Sequence, residues 1–420
     1  MPILEINPNI SRWSRLYSND KSIGIAAAVA SELARLVTLE MSVNVSGSPR
    51  ADYITELLKP TLQKTRQYTE YACALGSLVF KPYVSGGKLS IDVIQADCFT
   101  PTAFDGAGNI TAATFAEQRV VSKRTYTRLE KHSWTPEAYT IENRAYESGT
   151  NLTLGAEIPL SAIPEWTELA PIVTLLNVKR PLFSYFRIPL GNNKDRNSPL
   201  GVSVFSRAAE TIKDAEAQYK RLLWEFEGGE LAIDAEEGFL RPRSDDGTKV
   251  DLPNGKQRLF RRIAAASNDF YKIFSPELRD ASLLNGFNAI LRLVEWQCGL
   301  AYGTISDPQS VDKTAEEIRA SKQRSYSTVR DIQQSLQNAL DGLIAAIDTL
   351  TTLYKLAPQG TVDTAYSWDD SIINDPAEWL REMRLDASMR LIRPELYIAE
   401  KYGVSQEEAK RMIPEEADVL

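Results

Sequence analysis

Apolar and polar positions change their spacing along the chain, and the spacing predicts where helices give way to strands. Apolar residues recur every three or four positions over residues 25–37, which predicts an amphipathic helix, and a second helix is predicted over residues 51–75. From residue 78 the pattern alternates on both sides of a Ser85-Gly86-Gly87-Lys88 turn, so we expect a β-hairpin. Residues 110–141 are rich in Thr, Val and Tyr, which favour strands. The first 200 residues therefore predict an α+β domain.

Two helices that enclose a short polar segment are predicted next. Ser198-Pro199-Leu200-Gly201 precedes the first helix, which should end at Gly228-Gly229. The second should open at Ser275-Pro276, with Ser as the N-cap and Pro in the first turn, and end at Gly299. Between them, residues 230–272 combine turn signals with mixed charge, so short strands are expected there. The first helix carries an apolar stripe made of Phe205, Ile212, Tyr219, Leu222, Leu223 and Phe226.

A connection at residues 301–312 leads into a much longer helix. Twelve residues is long for a plain link between two helices, although a connection packed inside one subunit stays an alternative. The long helix should begin at Thr314, with Glu317 completing a capping box, and should run for roughly 40 residues. A strand over residues 362–368 and helices after Asp375 and Ser405 complete the prediction. The apolar stripe of the long helix is Ile332, Leu336, Leu340, Leu343, Ile347, Leu350 and Tyr354.

Length and charge narrow the class of protein. A chain of 420 residues is too long for one ordinary core, so several domains are expected. The formal net charge of −8 is unlike a sequence-specific DNA-binding domain, which is usually basic. The acidic excess lies mainly after Asp363 and predicts either a solvated tail or a surface that repels nucleic acid. The three cysteines are scattered, which suits reduced thiols in the cytosol, and neither a membrane span nor a signal peptide is expected.

Signals for enzyme chemistry are weak. His132 is the single histidine of the chain and lies in a strand-like run, so an ordinary sheet histidine is expected rather than a catalytic base or zinc ligand. Gly86-Gly87-Lys88 lacks the following hydroxyl residue of a phosphate-binding loop. Asp245-Asp246 and Asp369-Asp370 are adjacent acidic pairs that could in principle bind Mg²⁺ as in a nuclease, although adjacent aspartates in turns are far more often solvated. No enzyme activity and no cofactor are predicted.

The order of these parts, together with local runs of sequence, resembles the portal protein family of tailed bacteriophages, of the siphophage head–tail connector type. The most specific run is Pro181-Leu182-Phe183-Ser184-Tyr185-Phe186 with Asn192-Asn193, followed by Ser198-Pro199-Leu200-Gly201 before the helix. Other similar runs lie at residues 13–17, 128–143, 299–304, 313–317 and 369–375. The resemblance implies a wing at residues 1–200, a first stem helix at 201–227, a clip at 228–272, a second stem helix at 273–299, a tunnel loop at 300–313, a long wing helix with a returning strand at 314–375, and a short crown at 376–420.

The resemblance also implies a function and a set of partners. Portal proteins form a ring, typically of twelve subunits, at one capsid vertex, and double-stranded DNA passes through it without sequence specificity. The implied partners are the terminase large subunit, a head–tail adaptor, and the major capsid and scaffolding proteins, with assembly in the bacterial cytoplasm and a final place in the virion. A metal-dependent nuclease and a phage adaptor that forms no ring remain the alternatives.

Two groups of residues are the candidate sites under this interpretation. The tunnel loop should line the narrowest part of the channel, with Ile305 and Val311 as apolar tips, and contact DNA without ionic grip. The clip should dock terminase and then the adaptor, although a solvated hairpin or an intersubunit salt-bridge belt would use the same arginines. The candidate loop residues are Gly303, Thr304, Ile305, Asp307 and Val311, and the candidate clip residues are Arg241, Arg243, Arg258, Arg261 and Arg262.

Overall fold

The computed structural model mixes helices and strands, as the α+β prediction requires. It describes residues 9–18, 22–39, 41–121, 123–149, 154–193, 195–236, 260–263, 271–307, 315–368 and 376–413. The amino-terminal elements are α1 (Asn9–Tyr17), α2 (Ile25–Thr38), β1 (Ser42–Ser46), α3 (Pro49–Gln63), α4 (Thr65–Leu75), β2 (Ser77–Ser85), β3 (Lys88–Gln95), β4 (Phe99–Phe104), β5 (Ile110–Val121), β6 (Arg124–Trp134), β7 (Ala138–Ser148), β8 (Ala156–Ile158), β9 (Ile172–Leu176) and β10 (Ser184–Arg187).

The remaining elements follow the predicted alternation of helices and short strands. They are α5 (Ala209–Gly228), β11 (Ala232–Glu236), β12 (Phe260–Ile263), β13 (Tyr271–Phe274), α6 (Asp280–Cys298), α7 (Ala315–Leu353), β14 (Asp363–Ser367), α8 (Pro376–Ser388), α9 (Pro394–Tyr402) and α10 (Gln406–Arg411).

Four sheets are found within the described residues. β4, β5, β6 and β7 form an antiparallel meander, and β8 and β9 both pair with the far side of β7. A three-stranded sheet has the order β10-β2-β3, and its β2–β3 hairpin turns at Gly86 and Gly87. Both glycines have positive φ angles, 56° and 74°, as a tight two-residue hairpin turn requires, so the predicted hairpin is confirmed. β1 pairs with β14, and β12-β11-β13 forms a small separate sheet in which β11 and β12 are parallel.

The core forms where α7 packs against α2, β2 and β10. The predicted stripe explains this packing, since Ile332, Leu336, Leu340, Leu343, Ile347 and Leu350 are all buried. The helix has 39 residues, close to the expected length. Tyr354, the last residue of the predicted stripe, lies beyond the helix end and is exposed.

The single helix predicted over residues 51–75 is wrong, because the chain turns at Lys64 between α3 and α4. The Lys64 N–H donates to the carbonyl of Thr61, three residues back, at 3.1 Å. The Thr65 hydroxyl approaches the same Thr61 carbonyl at 3.4 Å. This local hydrogen bonding competes with a continued α-helix.

Both helices of the predicted pair begin later than the sequence indicated. The first is predicted to follow the Ser198–Gly201 run directly but begins at Ala209, because the segment before it packs on α4. Val204 and Phe205 are buried there, and the Val204 N–H donates to Cys73 O at 2.9 Å. The second begins at Asp280, so the predicted cap at Ser275-Pro276 is wrong. Its start is fixed instead by Glu225 of α5, whose carboxylate accepts the Arg279 N–H at 3.0 Å.

Candidate functional site

α5 and α6 form an antiparallel pair that connects the core to the small β11–β13 sheet. Near the middle of the pair the rings of Tyr219 and Phe287 lie 5.9 Å apart. At the far end the Glu225 carboxylate accepts hydrogen bonds from Arg279 Nε and Nη2 at 3.1 and 2.7 Å. Glu225 is fixed by this guanidinium, and its hydrogen bonds hold the pKa of Glu225 below its usual range. These contacts join the two helices along their length.

The outer faces of the same pair carry large apolar side chains that nothing in the described chain covers. Trp224 is 64% exposed and Trp296 is 54% exposed. An apolar surface of this kind usually marks a protein contact. We call it the stem surface; it consists of Leu223, Trp224, Phe226, Leu284, Leu293 and Trp296, with Leu231, Ile273 and Leu278 at its far end.

A buried glutamate organises the segment that follows α6. Glu295 is 0% exposed and lies in the last turn of the helix. Its Oε1 accepts the N–H groups of Ile305 at 2.7 Å and Ser306 at 2.9 Å. Its Oε2 accepts the Ser306 hydroxyl at 2.9 Å and the Gly303 N–H at 3.2 Å. One carboxylate therefore holds three residues of this segment, Gly303, Ile305 and Ser306, against the helix.

The junction between α6 and α7 is closely packed around that segment. Gly299 ends α6 with a φ of 73°, and a Cβ there would lie 2.3 Å from Thr328 Oγ1 of α7. Leu300, the next residue, is fully buried. The guanidinium of Arg324 on α7 lies 5.8 Å from the centre of the Tyr302 ring. The start of the connection is thus fixed between the two helices.

A second cluster of charged residues lies between the β2–β3 hairpin and the β5–β6 strands. The Lys81 side chain is 5% exposed and its Nζ lies 2.7 Å from Glu130, and Arg128 contacts both Glu117 and Glu130. Burial would raise the pKa of Glu130, but the hydrogen bond from His132 and the nearby Lys81 and Arg128 outweigh it and hold that pKa well below its usual range. These groups border a cavity of about 390 Å³ whose wall also includes Asp92, Cys98 and Phe115.

His132 belongs to this cluster as a strand residue of the core, as expected from its sequence. It is 3% exposed, with Nδ1 2.6 Å from Tyr139 Oη and Nε2 2.6 Å from Glu130 Oε1. Burial lowers the pKa of His132, and the bond to Glu130 opposes that shift only in part. Both ring nitrogens are thus occupied by hydrogen-bond partners. Across the described ranges, no group of His, Cys, Asp or Glu side chains is arranged to hold a metal ion.

Comparison with models of known protein families shows which family the chain belongs to. The family model of phage portal proteins of the SPP1 Gp6-like type matches residues 61–419. The chain belongs to this family. Portal function, the passage of DNA through a capsid vertex with docking of packaging and tail proteins, is general to its members. The family prediction made from the sequence is confirmed, and the family is a structural one.

Comparisons with individual proteins add little to the family match. No curated protein matched the chain. A solved structure described as the neck of a native GTA particle, computed with C12 symmetry, covers 97% of this portal protein and 94% of its own chain, at 12% identity and a TM-score of 0.45. In the part of the portal protein that the structure describes, no helix is long and apolar enough to cross a membrane.

The predicted tunnel-loop residues fall partly inside the described segment. Gly303 has a φ of 83°, in the left-handed region that favours glycine. The Thr304 hydroxyl donates to Ala301 O at 2.5 Å. Ile305 is half-buried and packs against the core in this subunit, whereas Asp307 is exposed and its N–H is 3.3 Å from Asn288 Oδ1. Val311 lies outside the described residues.

The predicted clip residues are brought together only in part. Arg261 and Arg262 lie on β12, where Arg261 is opposite Asp234 of β11 in the parallel register. Arg241, Arg243 and Arg258 lie outside the described residues, as do Asp245-Asp246 and Asp369-Asp370.

Sequence reasoning missed Glu295. The sequence hints at its role, because this glutamate interrupts the apolar run that includes Val294 and Cys298 near the end of α6. A charged residue at a core position needs partners. The sequence does not show those partners, because three of the four donors are backbone N–H groups.

Proposed function

We propose that this portal protein assembles into a closed ring, typically of twelve subunits, whose axial channel passes double-stranded DNA during packaging and ejection. The observation that supports the ring is the stem surface. The outer faces of α5 and α6 expose Trp224, Trp296 and other large apolar side chains that a single subunit leaves in water. Contacts between unlike faces of identical subunits must close into a ring to avoid open filaments.

Residues 301–312 form the tunnel loop in this proposal, at the narrowest part of the channel. DNA of any sequence must slide past the loop, so a cationic grip on phosphates would hinder it, since each such contact adds affinity by releasing counterions. Residues 301–307 carry Asp307 and no basic side chain. The net charge of −8 suits a channel that repels the duplex weakly and keeps it mobile.

The clip, residues 228–272, docks the terminase large subunit during packaging and the head–tail adaptor afterwards. The segment has five arginines, three of them outside the described residues, beside acidic residues that include Asp245, Asp246 and Asp251, so it can form ion pairs with a partner of either charge. Replacing Arg241 and Arg243 by Glu should impair packaging while rings still form. Normal DNA filling in that variant would point instead to a solvated hairpin or an intersubunit belt.

The proposal includes no enzyme activity and no cofactor, since the energy of packaging comes from terminase. The major capsid and scaffolding proteins are the remaining partners, and the ring is assembled in the bacterial cytoplasm before it becomes part of the virion.

Negative-stain imaging of the purified protein tests the central claim directly, and rings with an axial hole are expected. A monodisperse monomer over a wide range of salt and protein concentration would favour an adaptor that forms no ring. Mg²⁺-dependent cutting of DNA would favour a nuclease.

A further inference from the structure

The carboxylate of Glu295 is in an unusual position for a charged group. It is fully buried, and no ion pair to it is found among the residues that the structure describes. An ionised carboxylate removed from water is costly unless hydrogen-bond donors surround it. Here the compensation comes from four donors in one short segment, two on each oxygen. The glutamate and the segment therefore depend on each other.

The chemistry of the donors makes this site specific for a carboxylate. Three are backbone N–H groups, of Gly303, Ile305 and Ser306, and the fourth is the Ser306 hydroxyl. An ionised carboxylate only accepts hydrogen bonds, and its two oxygens together have enough lone pairs for all four donors. A glutamine of the same size would turn an NH₂ group toward two of the donors. Replacing Glu295 by glutamine would therefore leave buried donors unpaired while the size of the side chain stays the same.

Because of where Glu295 lies in the chain, its hydrogen bonds fix the path that the chain takes after α6. The residue lies just before the end of α6, while its donors lie just after, on the far side of Gly299 and Leu300. Leu300 is buried, and Gly299 approaches Thr328 of α7 too closely for a side chain. The segment from Gly303 to Ser306 is therefore held to α6 at a point already fixed against α7. The direction in which the chain leaves this point depends on the Glu295 carboxylate.

We propose that Glu295 is the positioning residue of the tunnel loop. Its buried carboxylate sets the conformation of residues 303–306, so that the loop leaves every subunit at the same place and in the same direction. A symmetric ring needs this uniformity, because many copies of one loop form a symmetric constriction only if every copy has the same conformation. This inference rests on the proposed function for the assignment of the loop to the channel, but not for the anchoring itself.

Glu295→Gln tests the anchoring by hydrogen exchange of the full-length protein. In the wild-type protein the amides of Gly303, Ile305 and Ser306 should be protected. In the variant they should exchange about tenfold faster or more, as expected for the loss of hydrogen bonds to a charged acceptor. Glu56→Gln is the matched control, because Glu56 is a surface residue of α3 whose side chain is 73% exposed. Unchanged exchange at the three amides in Glu295→Gln would overturn the anchoring.

DNA packaging provides the second readout and separates the inference from the proposed function. Rings of Glu295→Gln should form in wild-type yield but package less DNA, while Glu56→Gln rings package normally. Faster exchange with normal packaging would show that Glu295 folds the segment without positioning the channel, and would overturn the proposal. If even wild-type chains form no ring, the proposed function fails, whereas the exchange measurement still decides the role of the carboxylate.

Ser306→Ala extends the test to a variant that keeps the charge. It removes one of the four donors and leaves the three N–H groups in place, so folding should be preserved even if Glu295→Gln rings prove unstable. We expect intermediate effects on both exchange at Gly303 and packaging. Wild-type behaviour of Ser306→Ala in both measurements, together with failure of Glu295→Gln to fold, would count against a positioning role and indicate a purely structural one.

Discussion

Arg50 at the start of α3 and Asp348 near the end of α7 form an ion pair across nearly 300 residues of sequence, with Nη1 2.7 Å from Oδ1. The arginine side chain is only 3% exposed, whereas the aspartate is 41% exposed. The guanidinium also donates to the carbonyls of Ala357 at 2.9 Å and Pro358 at 2.7 Å. One side chain therefore ties α3 both to the end of the longest helix and to the chain that leaves it for β14.

Arg50→Met should lower the free energy of unfolding by about 2–4 kcal/mol, because the carbonyls of Ala357 and Pro358 and the Asp348 carboxylate lose a buried charged donor that an apolar methionine does not replace. Urea denaturation followed by circular dichroism measures the loss. The control is Arg35→Met, since Arg35 pairs with Glu32 on the surface of α2 with 42% of its side chain exposed. That change should cost less than about 1 kcal/mol. Equal effects of the two substitutions would contradict a special role for Arg50.

His132 should make stability depend on pH between about 7 and 5. Its folded pKa lies below the ordinary value near 6.5, so the unfolded chain takes up a proton first as the pH falls, and stability decreases through that window. Glu130, whose folded pKa is depressed, contributes stability above about pH 4.5 that is lost only at lower pH. The two effects therefore occupy different pH ranges.

The single histidine of the chain makes this prediction easy to isolate. Thermal unfolding of the wild-type protein should shift to lower temperature as the pH falls from 7 to 5, with a slope of up to about 1.4 kcal/mol per pH unit. His132→Gln should lower stability at pH 7.5 but remove most of that slope. The groups that face the imidazole, Glu130, Lys81, Arg128 and Tyr139, stay in place in the variant. A slope identical to wild type would show that another group titrates.

The elements that sequence predicted best are those whose signals are local. Six apolar residues in steps of three and four define α7, and the pair Gly86-Gly87 defines the β2–β3 turn, because each pattern has one simple structural solution. The start of α5 could not be predicted in this way. Residues 202–208 are compatible with a helix, but burial of Val204 and Phe205 against α4, 130 residues earlier in the chain, favours turns instead.

The candidate site shows the same division between local and distant information. Sequence order placed the connection after α6 correctly, and Gly303 adopts the positive φ that its type allows. The conformation of Ile305 was not predictable, because it depends on a carboxylate in the preceding helix whose partners are mostly backbone amides. The residue types in a sequence do not show which backbone amides a turn will leave without a backbone partner, and so do not show which amides a glutamate such as Glu295 will bind. The role of Glu295 therefore emerged only from the folded chain.

Substitution of the stem-surface tryptophans should prevent assembly without unfolding the subunit. Trp224→Ser with Trp296→Ser removes two side chains that are more than half exposed, so the isolated chain loses little core packing. We expect a monomer on sizing chromatography with a circular dichroism spectrum like that of wild type. Val120→Ser is the control, because Val120 is 72% exposed at the end of β5, away from the stem surface. Rings of wild-type stability in the double variant would move the subunit interface elsewhere.

Asp307→Lys should make packaging slow and strongly dependent on salt. Asp307 is the exposed residue that directly follows the segment held by Glu295, and a lysine there would repeat in every subunit as a circle of cations around the DNA. Each phosphate neutralised contributes a slope near −0.9 to the dependence of log affinity on log salt, so a ring of them should bind the duplex tightly at low salt and release it as salt rises. DNA filling at two salt concentrations, with rings first verified by imaging, measures this dependence on salt.

The control is Asp363→Lys, which makes the same charge change at an exposed position on β14. Val311→Lys applies the same test to the later part of the loop. If Asp307→Lys and Val311→Lys both package like the control at low salt, residues 301–312 are a connection within one subunit and do not line the channel.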